Sequence, residues 1–204
     1  MVRDGNQLVL ASRSPQRRAI LAALGVEFVL RPSDFAEGEA GAPDRVALEN
    51  ALGKAAAVAR APDEVVLGVD TVVALGERLY GKPAGAAQAA ETLRALSGVR
   101  HTVVSGLALI GLEQSPRTAS CATEVTFRSL DEATIAWYVA SDEWRERAGG
   151  YAIQGAGCAL VASIAGDWTN VVGLPVGTLL ELHPDLLGAR NNRFSARQAG
   201  ELPR

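Results

Sequence analysis

One apolar run in the middle of the chain constrains the fold more than any other feature. Residues 65–75 read VVLGVDTVVAL, and a β-branched stretch of this kind is typical of a central, buried strand. Residues 7–11 indicate a second buried strand, which a Ser- and Pro-bearing turn joins to a helical pattern over residues 19–24 that Gly25 closes. A strand, a tight turn and a helix in this order are typical of an α/β protein.

The rest of the chain continues the alternation of strands and helices. Gly76 and Glu77 indicate a hairpin-like turn after the central run, and Gln114 to Pro116 a turn between two strands. We find neither an internal repeat nor a long linker, so we predict one domain over residues 1–187 and a loose tail over residues 188–204. Helical patterns lie at about residues 44–60, 84–96, 131–140 and 175–182, and strand-like runs at residues 26–30, 101–111, 120–130 and 158–166.

Composition excludes several classes of protein. Hydrophobic residues make up 48% of the 204 and charged residues 21%, which excludes a disordered or coiled-coil chain. The net charge of −3, without a dense Lys/Arg stripe, gives no support for binding to nucleic acid or a membrane surface. No uncharged apolar run reaches about 18 residues, and the first residues lack the apolar core of a secretory signal. We therefore expect a cytoplasmic enzyme or binding protein.

The scarcity of Cys and His limits the possible metal chemistry. Two cysteines, Cys121 and Cys158, are too few for a disulfide framework or a zinc site. Two histidines, His101 and His183, exclude a His-rich metal site. Any metal is therefore expected to be a hard cation that carboxylates hold.

The turn after the first strand is the first candidate site. Ser14 suits the N-cap of a helix and Pro15 suits its first position, so the free amides that follow can receive a phosphate. Arg13, Arg17 and Arg18 would add donors whose forked geometry phosphate oxygens accept. A capped surface helix with solvated arginines explains the same spacing equally well.

Asp70 is the second candidate, because it interrupts the central apolar run. Desolvating a carboxylate in a buried strand is costly unless a cation, a metal or several donors compensate. The functional interpretation is a metal ligand or a base that activates water, and the alternative is a structural ion pair.

Other candidates depend on where the fold brings them. Glu37 offers a second carboxylate for a divalent ion, and Lys54 and Lys82 offer charges that would neutralise phosphates, yet each alone is typical of an ordinary surface charge. Gln154 lies in the Gly-rich run AGGYAIQGAG and can pair with the edge of a base, although a bulged turn also explains the glycines. His101 favours a polar contact over a catalytic role, and we expect Asp142 and Glu143 to be solvated.

The order of these motifs resembles the Maf family of nucleotide pyrophosphatases. The series LASRSPQRR, Glu37, ENALGKA, GVDTVV, GKP, LSGVRHTV, VTFRSL, AGGYAIQGAG and VVGLPV spans about residues 7 to 183. The resemblance implies a mixed α/β fold related to the inosine triphosphate pyrophosphatases, with two lobes around a deep cleft and often a homodimer. It also implies hydrolysis of a nucleoside triphosphate to the monophosphate and pyrophosphate, with Mg²⁺, Mn²⁺ or another divalent cation.

The resemblance also assigns roles to residues. Asp70 matches the catalytic acceptor, and Glu37 with Asp70 would hold the metal. Lys54 and Lys82 match the two lysines, Ser12 the first serine, and Arg17 the arginine near the phosphates, which the amides after Ser14 would also hold.

The selectivity positions of the family give a mixed result. Thr71 and Gln154 match the subgroup that acts on dTTP and UTP, but Gln16 stands where that subgroup has Arg and the 7-methyl-GTP subgroup has Trp. We therefore expect dTTP, UTP or modified nucleotides as substrates. The alternatives are a nucleotide-sensing protein without turnover, connected with septum formation and cell division, and a hydrolase of another phosphoanhydride.

Overall fold

A computed structural model describes residues 6–188 and contains one seven-stranded sheet with helices on both faces. Three short 3-10 turns lie at residues 148–150, 156–160 and 184–187. The strands are β1 (Gln7–Leu10), β2 (Phe28–Leu30), β3 (Glu64–Leu75), β4 (Arg78–Tyr80), β5 (Arg100–Ile110), β6 (Arg117–Phe127) and β7 (Val161–Ala165). The helices are α1 (Pro15–Ala23), α2 (Pro43–Ala56), α3 (Ala86–Leu96), α4 (Glu132–Ala140), α5 (Trp168–Val172) and α6 (Val176–Leu182).

The sheet is mixed, which confirms the predicted α/β class. The strand order is β2-β1-β3-β5-β6-β7, with β4 added to β3 as a hairpin. The first three strands of this order are parallel and the pairs from β3 to β7 are antiparallel. The long apolar run therefore forms the central strand, as its composition predicts.

One edge of β3 is paired with other strands at its two ends and is unpaired, or open, in the middle. β1 pairs with Glu64–Leu67, and β4 pairs with Val73–Leu75. Within the described part of the chain, residues 68–72 have β5 on one side and no strand on the other. The gap arises because β3 has 12 residues, whereas β1 has 4 and β4 has 3. Side chains from both faces of β3 can therefore reach one opening.

Helix α2 covers one face of the sheet at very close range. A Cβ added to Gly68 would lie 2.0 Å from the carbonyl oxygen of Ala51, and one added to Gly106 would lie 2.2 Å from that of Ala47. The two glycines and the buried alanines of α2 thus let the helix backbone approach the strands directly. This close approach places polar side chains of α2 next to the open edge of β3.

The opposite face carries two apolar clusters with a polar layer between them. Helices α1 and α6 pack on the β1 end, around Leu67 and Leu107, while α3 and α4 pack on the other end, around Val103 and Phe127. The polar layer between the clusters consists of Thr71, Ser105, Thr123 and Asn170. Two apolar cores thus share one sheet, and their border coincides with the open edge of β3.

Most element boundaries agree with the sequence within a few residues, and the exceptions have local causes. Helix α1 begins at Pro15, as the cap at Ser14 predicts, although its apolar periodicity starts only at Ala19. Helix α2 ends at Ala56 instead of residue 60, and β7 begins at Val161 because residues 156–160 form a 3-10 turn. The sequence did not predict α5, which Asp167 caps at its start and Gly173 ends.

The described chain also bears on two other predictions. No helix of residues 6–188 is both long and apolar enough to cross a membrane. The predicted single domain over residues 1–187 and the loose tail stay predictions, since residues 1–5 and 189–204 lie outside the described residues.

Candidate active site

A deep cleft of about 1220 Å³ borders the open edge of β3. The turn before α1, the loop at residues 33–39 and one side of α2 form one wall. The segment at residues 81–82 and the stretch at residues 143–155 form the opposite wall. The fold therefore gathers into one cavity segments that lie more than a hundred residues apart in the sequence.

The turn before α1 has the cap geometry that the sequence predicts. The hydroxyl of Ser14 accepts a hydrogen bond from the amide of Arg17 at 3.5 Å, and Pro15 occupies the first helical position. The buried hydroxyl of Ser12 accepts from the amide of Ser14 at 3.2 Å and so fixes the turn from inside. The N-terminus of α1 borders the cleft, where an anion would meet the amide of Gln16, since Pro15 has no N–H and the next two amides already donate to Ser14.

Asp70, Lys54 and Glu37 form one ionic cluster on the α2 side of the cleft. The Nζ of Lys54 lies 2.5 Å from Oδ1 of Asp70 and 2.7 Å from Oε1 of Glu37. Asp70 and Lys54 are buried, whereas the side chain of Glu37 is 41% exposed at the mouth of the cleft. Asp70 thus has the compensating cation that a carboxylate in a central strand requires.

Asn50 is a member of this cluster that sequence reasoning missed. Its Nδ2 donates to Oδ2 of Asp70 and to the carbonyl of Gly38, both at 3.0 Å, and its Oδ1 accepts from the amide of Gly38 at 2.7 Å. Asn50 therefore ties the loop that carries Glu37 to the carboxylate of Asp70. Its position one helical turn before Lys54 was the available signal, since residues four apart share a helix face.

The buried side chain of Arg17 lies at the base of the cleft and connects separate segments of the chain through hydrogen bonds. Its guanidinium donates from Nε to the carbonyl of Gly173 at 2.9 Å, from Nη1 to Ser12 at 2.9 Å and from Nη2 to Thr71 at 3.1 Å. Burial lowers the pKa of Arg17, and the nearby charges of Asp70 and Glu37 partly oppose that effect. Arg17 thus joins α1, β3 and the end of α5 with three of its five N–H groups.

The opposite wall carries Lys82 and Gln154. The Nζ of Lys82 lies 3.5 Å from the exposed carboxylate of Glu146, and its side chain is 52% exposed. Gln154 is exposed and borders the same cleft. The amide of Gly149 donates to the carbonyl of Gly81 at 3.1 Å, so the segment that bears Gln154 is fixed to the loop that bears Lys82.

The structure brings together nearly all residues that the sequence selects, with one exception. Arg18 is exposed and does not border the cleft, because it faces away from the turn on α1. Gln16 borders the cleft, and its Oε1 accepts from the hydroxyl of Ser14 at 3.1 Å. The predicted residues that border the cleft are Ser12, Arg13, Ser14, Gln16, Arg17, Glu37, Lys54, Asp70, Thr71, Lys82 and Gln154.

Two further expectations have opposite outcomes. His101 is a buried polar contact, as expected: its Nε2 lies 2.9 Å from the hydroxyl of Tyr151, and burial lowers its pKa to about 4. The expectation that Glu143 is solvated was wrong, because Glu143 is partly buried and borders the cleft. Its Oε2 accepts a hydrogen bond from the amide of Gly157 at 3.4 Å, and the missing side chain of Gly155 leaves room for the carboxylate. Asp142 is exposed and pairs with Arg145.

The carboxylate pair suits one type of cation. In residues 6–188, no three His, Cys, Asp or Glu side chains form a group that could hold a metal ion on its own. Asp70 and Glu37 touch one Nζ, so the two contacting oxygens lie at most about 5.2 Å apart. Carboxylate oxygens are donors that Mg²⁺ takes in proteins, commonly one or two carboxylates together with phosphates of the substrate, but here both contacting oxygens are paired with the ammonium of Lys54.

Comparisons with known proteins identify the family to which the chain is similar. The family model described as "Maf-like protein" matches residues 7–185. The dTTP/UTP pyrophosphatase of Gloeobacter violaceus is 48% identical over 179 residues, which cover 86% of this chain and 94% of the relative. The dTTP/UTP pyrophosphatase of Deinococcus radiodurans is 44% identical over 178 residues, covering 86% of this chain and 91% of the relative.

Similarity to solved structures is more distant. The nucleoside-triphosphatase / dITP/XTP pyrophosphatase of Mycobacterium abscessus matches with a TM-score of 0.41 and 21% identity, covering 61% of this chain and 75% of that one. We draw no conclusion from a match of this size.

Proposed function

Because the chain belongs to the Maf family, we propose that it hydrolyses nucleoside triphosphates to a nucleoside monophosphate and pyrophosphate. The observation that carries the proposal is the carboxylate of Asp70, which is buried at the open edge of β3 between Lys54 and Asn50. A structural ion pair would not need to border a cleft of about 1220 Å³. The names of the relatives from Gloeobacter and Deinococcus support dTTP and UTP as substrates.

The proposed reaction breaks the bond between the α-phosphorus and the bridging oxygen of the β-phosphate. A water oxygen forms the new bond to the α-phosphorus, its proton passes to the carboxylate of Asp70, and pyrophosphate leaves with the bond electrons. Lys54 and Asn50 hold the two oxygens of Asp70 in place, so that the carboxylate faces the water without rotating. The amide of Gln16 and the positive end of α1 offer a preorganised site for a phosphate oxygen.

We propose that Glu37 and Asp70 hold a divalent cation, Mg²⁺ or Mn²⁺, during the reaction. Such an ion, when bound, supplies charge neutralisation for the phosphates. Lys54 contacts both carboxylates, so the ion would have to take over contacts that the ammonium of Lys54 makes in this structure. Titration of magnesium into the protein with a non-hydrolysable triphosphate tests this directly. Tighter analogue binding with magnesium is expected, and Glu37→Gln should remove that enhancement.

Base selectivity is the finer part of the proposal. Thr71 and Gln154 border the cleft, and Gln16 is held by Ser14 at the rim. Because Gln16 stands where the dTTP/UTP subgroup has Arg, Gln16→Arg is the informative variant. We expect it to raise kcat/KM for dTTP and UTP relative to CTP, GTP and 7-methyl-GTP. An unchanged ratio would show that Gln16 does not contact the substrate.

The decisive experiment measures pyrophosphate release across UTP, dTTP, CTP, 7-methyl-GTP and modified nucleotides, with Mg²⁺ and with Mn²⁺. Wild-type protein is expected to turn over dTTP and UTP, and Asp70→Asn to lose at least about a hundredfold in kcat while still binding a triphosphate. Asp63→Asn, an exposed carboxylate outside the cleft, is the matched control. Full activity of Asp70→Asn would refute the role of Asp70. Tight binding without turnover under either metal would favour the nucleotide-sensing alternative linked to septum formation.

Two further proposals concern the state of the protein in the cell. We propose that it acts in the cytoplasm as a homodimer and binds neither nucleic acid nor membranes. Its net charge of −3 supports the last point. Light scattering at several protein concentrations would test the dimer, and a single monomeric mass throughout would exclude it.

A further inference from the structure

Arg147 is a charged group in the cleft that no structural interaction explains. It is partly buried and belongs to the wall opposite α1. Its Nε is buried without a hydrogen-bond partner, and its guanidinium makes no ion pair with any residue of the described chain. Buried donors in proteins are almost always satisfied, so an unsatisfied one calls for an explanation.

Two other arginines that border the cleft have partners for their guanidinium groups. Arg145 pairs with Asp142 at 3.0 Å, and its guanidinium lies 4.4 Å from the ring centroid of Trp144. Arg17, on the other side of the cleft, uses three N–H groups in internal hydrogen bonds. Arg147 therefore differs from these two arginines of the cleft in having its donors free.

The backbone holds Arg147 in a fixed position. Gly149 and Gly150, which follow it, have φ values of 69° and 66°, a left-handed conformation that suits glycine. A Cβ added to Gly149 would lie 2.8 Å from the side chain of Val73, and one added to Gly150 would lie 2.9 Å from that of Pro83. The turn after Arg147 is thus pressed between β3 and the segment of Lys82 and Pro83.

The segment of Arg147 lies against the segment of Lys82. The hydrogen bond from the amide of Gly149 to the carbonyl of Gly81 joins the two segments at 3.1 Å. The only ion pair that Lys82 makes among residues 6–188 is the 3.5 Å contact with Glu146, whose side chain is 85% exposed. Two cations on one wall, one of them unpaired and the other weakly paired, form a site for a polyvalent anion.

We infer that Arg147, together with Lys82, binds the pyrophosphate end of the triphosphate. The inference rests on the proposed function and adds to it a substrate-binding residue. The ionic cluster of Asp70 and the amides of α1 already serve the phosphate under attack, whereas the leaving pyrophosphate gains charge as its bond breaks. The two Nη groups of an arginine can bind two phosphate oxygens at once, and the Nη groups of Arg147 make no ion pair within residues 6–188.

The test uses inorganic pyrophosphate, UMP and UTP on the full chain. Arg147→Gln is expected to weaken pyrophosphate binding at least about tenfold, or about 1.4 kcal/mol, and to leave UMP binding within about twofold. Arg147→Lys should restore part of the loss, since lysine supplies the charge without the fork. Arg145→Gln removes the same charge two residues away and should change pyrophosphate binding less than about threefold.

Thermal unfolding separates a binding role from a structural one. Removing an unsatisfied buried donor should leave the melting temperature of Arg147→Gln equal to or above that of the wild type, whereas a structural role would lower it. Pyrophosphate affinity within twofold of wild type in Arg147→Gln, or an equal loss of UMP affinity, overturns the inference. Pyrophosphate binding is measured without turnover. A wild type that shows no activity would therefore count against the proposed function, whereas the pyrophosphate titration alone would still decide the assignment of Arg147.

Discussion

Substitution of Gly68 by alanine tests how the packing of α2 controls the site. The new Cβ would lie 2.0 Å from the carbonyl oxygen of Ala51 and 2.8 Å from the amide of Ala55. Ordinary contacts begin at 3.4 Å, so α2 must recede from β3 by about 1.4 Å. Both obstructing atoms belong to helix backbone, which cannot rotate away as a side chain can. The substitution must therefore move the helix that carries Asn50 and Lys54.

The expected cost of this movement follows from two effects. Overpacking of a tight interface costs about 3 kcal/mol, which for a chain of this size lowers the melting temperature by about 6 to 12 °C. A displacement near 1 Å also separates Lys54 and Asn50 from Asp70, and misplacement on this scale lowers turnover about a hundredfold. Loss of activity should therefore persist at temperatures where Gly68→Ala is still fully folded.

The assay combines urea unfolding, followed by circular dichroism, with pyrophosphate release measured well below the melting temperature. Gly85→Ala is the matched control, because a Cβ added there would have no heavy atom within 4 Å and Gly85 is far from α2 in the sequence. Because Gly85 is the N-cap of α3, where Ala is less favourable than Gly, the control should lose at most about 1 kcal/mol of stability and should keep the activity of the wild type. If Gly68→Ala retains both as well, then α2 does not position the ionic cluster, and the reasoning is refuted.

Three further variants extend these tests. Lys54→Met leaves the carboxylates of Asp70 and Glu37 without their shared cation. We therefore expect the free energy of unfolding to fall by about 3 kcal/mol and kcat to fall by about a hundredfold or more. A fully active variant would contradict this expectation. Asn50→Ala frees one oxygen of Asp70 and the loop at Gly38, with an expected loss of about 2 kcal/mol in urea unfolding and about tenfold in kcat. Burial lowers the pKa of His101 from 6.5 to about 4. Between pH 6.5 and pH 4 the unfolded chain therefore binds more protons than the folded chain. Acidification through this range should lower the free energy of unfolding of the wild type by up to about 3 kcal/mol. His101→Phe should show a shallower fall in stability between pH 6.5 and 4, and an unchanged slope would count against this assignment.

Local sequence signals were enough to predict the central strand and the first turn. The β-branched run at residues 65–75 has no competing helical pattern, and Ser14 with Pro15 is a local signal that acts within one turn of chain. Asp70 was visible for the same reason, because a carboxylate in such a run needs a compensating group wherever the fold places it.

The tertiary structure alone decided which charges meet and which stay free. Glu37, Lys54 and Asp70 are 17 and 16 residues apart in turn, and no local pattern shows that one ammonium contacts both carboxylates. The glycine contacts of α2 and the free donors of Arg147 likewise depend on which segments pack together. Local propensities act over only a few residues. The charged side chains meet at the open edge of β3 because β1 and β4 pair with the two ends of this longer strand and leave its middle unpaired.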